Sequence, residues 1–189
     1  MMRRLPVIAT AMLVLGALSG AAAVREAPVE DAAPRHAVWR DIAWPFPRDA
    51  WPAGRAFRCD AASCGHAVEI DLRPKIGFCN CDTGVADDDE VDRVADLDLI
   101  SPQFAPREAG SAVRVGDLSG RARVYDLAMG DGARHAAVGI ALSRRCDLLV
   151  AVAQGNVPAV ELQRMAFDYL GSRELRRWMM AALGAREGR

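Results

Sequence analysis

Apolar residues repeat every second position through the middle of the chain and at helical spacing after Asn156, so strands come first and helices last. Val68, Ile70 and Leu72 alternate with Glu69, Asp71 and Arg73, which predicts a half-buried strand with its charged side outward. Val113 and Val115 around Arg114, the segment Arg123 to Met129, and His135 to Leu142 carry the same alternation. Asp131-Gly132 supplies turn chemistry between the last two. Asp147 to Ala153 is almost continuously apolar, as expected of a strand in the middle of a sheet. Leu162, Met165, Ala166, Tyr169 and Leu170 then share one helical stripe, and Leu175, Trp178, Met179, Ala182 and Leu183 share another. Ser172 is the expected cap between them. The reading is α+β: an antiparallel sheet of meander and hairpins, covered on one face by C-terminal helices in a two-layer sandwich. Carboxylates at Asp87, Asp88, Asp89 and Glu90 ahead of Val91 and Val94 predict one further short helix, because they suit the positive end of its dipole.

Residues 1–23 read as a secretory signal peptide, with Arg3 and Arg4, an apolar run from Leu5 to Leu18, and small residues through Ala23. That run falls short of the roughly 20 residues a membrane-spanning helix needs, which favours cleavage near Ala23 and a periplasmic, Sec-exported protein. Losing Arg3 and Arg4 takes the formal net charge from −1 to −3. With 24 basic and 25 acidic residues in 189, the chain lacks the concentrated positive surface that nucleic acid requires. Residues 24–54 are rich in Pro and Trp, with Trp39, Trp44, Phe46 and Trp51, and predict an extended arm. Its aromatics either pack on the domain or dock a periplasmic partner protein through Trp39, Trp44 or Trp51. The single domain is assigned to residues 55–184, with a polar tail at 185–189.

Five cysteines form the most specific feature. Cys59 and Cys64 enclose four residues, Cys79 and Cys81 flank Asn80, and Cys146 opens the apolar strand. An oxidising compartment favours disulfides, and an odd number leaves one thiol over. Residues two apart in an extended chain are a poor bridge, so Cys79 and Cys81 are expected to reach different partners, for example one Cys59 or Cys64 and the other Cys146. The alternative is a soft-metal site for Cu(I) or Zn(II) built from Cys59, Cys64, Cys79 and Cys81 with His66. A third reading makes Cys79-Asn80-Cys81 a redox dithiol activated by Lys75, the chain's single lysine.

Gly116-Asp117-Leu118-Ser119-Gly120 is misphased for a nucleophile elbow, and His36, His66 and His135 form no zinc-protease motif. The acidic run at Asp87, Asp88, Asp89 and Glu90 reads as a helix start, with docking to a basic partner as the functional alternative. Together these features point to a non-enzymatic accessory or binding protein stabilised by disulfides, with soft-metal binding and thiol–disulfide exchange as the competing functions.

Overall fold

The computed structural model describes residues 37–47, 49–77 and 80–184. The segment read as a signal peptide, the first part of the expected arm, Cys79 and the expected polar tail lie outside them. Eight antiparallel strands make one sheet: β1 (Arg40–Ile42), β2 (Arg55–Cys59), β3 (Val68–Lys75), β4 (Phe104–Pro106), β5 (Ser111–Val115), β6 (Leu118–Ala128), β7 (Arg134–Arg144) and β8 (Asp147–Gly155). Their order is β1-β2-β3-β8-β7-β6-β4, and β5 shares the outer edge of β6 with β4. The apolar run thus becomes β8 in the interior of the sheet, paired with β3 on one side and β7 on the other. Burial on both faces is what its lack of alternation requires. Hairpins joining β5 to β8 in sequence form the expected meander.

The helices are α1 (Ala61–Cys64), α2 (Asp88–Val94), α3 (Leu97–Ile100), α4 (Ala159–Leu170) and α5 (Arg173–Gly184). Both C-terminal helices cover one face. Leu162, Met165, Leu170, Leu175 and Met179 pack there against Ile70, Val138, Ile140 and Ala151. Ser172 caps α5, its hydroxyl accepting from the Leu175 N–H at 3.4 Å. Full burial of each such leucine contributes about 1.5–3 kcal/mol, so these two stripes hold the helices down more than propensity does.

The opposite face carries a partial third layer that the two-layer reading did not include. Here α2 and α3 place Val91, Val94 and Leu97 over Tyr125, Leu127, Ala137, Leu148 and Val150. Gly139 makes room for them, since a Cβ there would stand 3.0 Å from the Tyr125 ring and 3.1 Å from Ala95. Asp87 caps α2 by accepting from the Glu90 N–H at 2.9 Å, and the Glu90 carboxylate accepts from the N–H of Ala86, just before the cap, at 3.2 Å.

Two disulfides fasten the periphery. Cys59–Cys64 joins the end of β2 to α1, and Cys81–Cys146 joins the loop after β3 to the β7–β8 turn. Cys146 is the expected partner for one of the 79/81 pair. The expected link from that pair to Cys59 or Cys64 is corrected: those two bond to each other, because α1 turns the chain so that their Cα atoms stand 6.0 Å apart. Cross-linking removes more unfolded-state entropy when the closed loop is longer, and the two separations are 65 and 5 residues. Joint replacement of Cys81 and Cys146 by serine is therefore expected to lower stability by about 2–4 kcal/mol in non-reducing urea melts, and more than the Cys59/Cys64 pair does.

Candidate functional site

Three of the four cysteines singled out for metal or redox chemistry, Cys59, Cys64 and Cys81, are in bridges. A thiolate centre on Cys59, Cys64 and Cys81 would need those bonds reduced first, and Cys79 lies outside the described residues. His66 stands 3.8 Å from Glu161 on α4. Among the described residues no three His, Cys, Asp or Glu side chains are gathered as a metal site. Lys75 sits well inside the sheet's second face, bonded to Asp96 and the Val94 carbonyl.

The other expected docking residues are engaged with the domain itself. Trp39 stacks on Tyr169 with ring centres 4.5 Å apart. Trp44 and Trp51 lie over the Arg73 guanidinium and the Lys75 ammonium at 5.8 Å each. In the acidic run, Asp87 and Glu90 serve the helix cap, while Asp88 binds Arg121 and accepts from the Gly110 N–H at 2.9 Å. These partners, the Gly110 N–H first and Arg121 next, hold the Asp88 carboxyl below the ordinary carboxylate range. Asp89 alone of the four remains exposed without a partner among the described residues.

The charged side of β3 is covered rather than solvated. Asp71, Arg73 and Lys75 are 5%, 2% and 6% exposed, so the solvent-facing expectation for this side is corrected. Arg73 grips Asp96 through two bonds of 2.7 and 2.8 Å and Asp49 through a third of 2.8 Å. Burial works against the guanidinium charge, but Asp96 and Asp49 outweigh it and raise its pKa. Lys75 adds 2.8 Å bonds to Asp96 and to the last carbonyl of α2, where a cation suits the helix end. Asp49 is held low by the Trp51 N–H and by Arg73 despite some opposing desolvation.

Two cations thus face two carboxylates. Glu69 is taken by Arg58 and by Gln154, which in turn accepts from His135 Nδ1 at 2.6 Å. Asp71 forms no ion pair among the described residues, Arg58 being held by Glu69, and its Oδ1 is buried with no hydrogen-bond partner. Burial, followed by repulsion from Glu69 and Asp96, pushes its carboxyl up to about 7. Sequence reading missed this cluster because alternation marks a strand's two sides without saying what covers the polar one. The Trp/Pro segment, with a lone lysine nearby, was the available signal.

The accessible chemistry lies on the helix-covered face. A groove of about 410 Å³ runs between α5 and the β5–β6 turn, with Val115, Leu118, Met179 and Met180 as its apolar floor. Arg173, Arg176 and Arg177 line it from α5. A second hollow of about 320 Å³ continues it along β5 past Arg114 and shares Val115, Gly116 and Arg176 with it. None of these four arginines has a hydrogen-bonded or ion-paired partner for its side chain among the described residues. Elsewhere Arg55, Arg58, Arg73, Arg121 and Arg123 are all paired with carboxylates. One carboxylate, Asp117, shares the groove.

No protein-family model and no curated protein sequence matches this chain. Among solved structures, PA94 from Pseudomonas aeruginosa, a protein of unknown function, is similar at 13% identity and a TM-score of 0.34, over 73% of this chain and 82% of its own. A likeness of that size assigns neither fold family nor activity. Among the described residues no helix is long and apolar enough to cross a membrane.

Proposed function

We propose that this chain is an exported periplasmic accessory protein, non-enzymatic and built to bind, with its binding face at the arginine-lined groove. The observation that carries the reading is the pair of disulfides, since such bridges form and persist outside reducing cytoplasm. The leader-like composition of residues 1–23 supports the same address. Binding is supported by three arginines, Arg173, Arg176 and Arg177, that line an apolar floor with their side-chain donors unused among the described residues.

The test is intact-mass analysis and thiol titration of protein isolated from the periplasm. The mature chain is expected to begin at Val24. In denaturant without reductant it should show one thiol, from Cys79, and after reduction five. Cytoplasmic recovery with the leader attached, or five thiols before reduction, overturns the export reading.

A further inference from the structure

We propose that the groove receives an extended acidic segment of a partner polypeptide, which adds as a strand to the open edge of β5 and places its carboxylates against Arg176, Arg177 and Arg173. The inference deepens the binding reading above and rests on it.

Three independent features lead to it. The first is the edge itself. Val115 and Leu118 close a two-residue turn, so Ser111, Val113 and Val115 direct their backbone groups toward β6. The backbone groups of Ala112 and Arg114 therefore point the other way, and among the described residues no backbone group bonds to them. Such an edge templates an added strand.

The second is position. Val113 and Val115 face the helix-covered core, so alternate side chains of an added strand fall beside Phe167, Gly171 and Arg176 in the hollow. The two hollows adjoin at Val115, Gly116 and Arg176, so an extended chain laid along β5 reaches both.

The third is charge placed against the local electrostatics. Arg173 opens α5 and Arg176 stands one turn on, where the helix dipole disfavours cations, while its last turn carries no basic residue. Glu174 in the same turn lies 3.9 Å from Arg55 instead, and Asp117 across the groove forms no ion pair with these arginines among the described residues. Guanidinium forks bind carboxylates in bidentate fashion, and an arriving acidic strand supplies the missing counter-charge. The flexible thioethers of Met179 and Met180 let the floor accept differing apolar side chains.

The probe is a fluorescent peptide, Thr-Glu-Thr-Val-Thr-Glu-Thr, titrated by anisotropy to millimolar concentration. The same peptide with glutamines for glutamates is expected to bind at least about tenfold more weakly, the size of one lost charge-assisted hydrogen bond. Combined Arg176→Gln and Arg177→Gln should weaken the glutamate peptide by a similar factor while leaving the melting temperature unchanged or higher. Ala112→Pro removes an outward N–H without touching the β5–β6 bonds and should abolish binding in a folded protein. Absence of saturable binding overturns the proposal, as does binding indifferent to the glutamine peptide, the arginine variant or the proline. Capture by anionic phospholipid vesicles without peptide binding also overturns it and assigns the arginines to a membrane surface. Failure here with an intact Val24 start and both bridges leaves the export reading standing.

Discussion

Asp96→Ala is expected to cost about 3–5 kcal/mol in urea denaturation, the usual effect of removing one partner from a buried ionic group. Arg73 and Lys75 have side chains only 3% and 8% exposed, and Asp96 is the one carboxylate both of them hold. Without it Arg73 keeps Asp49, whose side chain is 36% exposed, and the Trp44 ring, while Lys75 keeps a helix-end carbonyl and the Trp51 ring. Neither remaining set repays the desolvation of two cations. Because the penalty arises from orphaned charge rather than lost packing, joint Arg73→Met, Lys75→Met and Asp96→Leu should recover most of it. A loss below about 1 kcal/mol for Asp96→Ala would show that water reaches both cations in the variant and that the cluster is surface chemistry.

The sheet was legible in the sequence for a physical reason. A strand's side-chain period is two whatever surrounds it, so β3, β5, β6 and β7 show in the positions of their valines, isoleucines and leucines. Both C-terminal helices were legible likewise, through stripes that must face a core and a serine that must cap. What did not show was pairing across distance. Nothing local tells Cys59 to take Cys64 rather than Cys79 or Cys81; the four-residue helix α1 decides it. Nor does alternation reveal that Trp44, Asp49 and Trp51 fold back over Arg73 and Lys75. The groove was invisible for the same reason: Arg114 and Arg176 are 62 positions apart in the chain and adjoin only once β5 and α5 are assembled.

Asp71 sets the second large effect, and its sign is opposite to that of a salt-bridged aspartate. In the unfolded chain its carboxyl titrates near 3.8, and in the fold near 7, chiefly because burial disfavours the charge and then because Glu69 and Asp96 repel it. Between those values the folded protein holds a proton that the unfolded chain has released. Stability from this group is therefore complete below about pH 4, falls as pH rises, and is gone above about 7. The separation from 3.8 to about 7 corresponds to on the order of 4 kcal/mol at 1.36 kcal/mol per unit. Asp49 and Asp88 run the other way: their depressed values give stability that is present at neutral pH and lost only as pH falls below the ordinary aspartate range. The two effects thus occupy different windows, and comparison with an Asp71→Asn chain from pH 5 to 8 isolates Asp71 from the three histidines, which both chains share. Urea melts across that interval should show the natural protein weakening relative to Asp71→Asn, whose amide cannot ionise. Asp71→Val, flanked across the sheet by Ala56 and Val152, should be the more stable protein at pH 8. Parallel stability curves for the natural chain and Asp71→Asn would mean that Asp71 is charged throughout, with water supplying the partner its Oδ1 lacks.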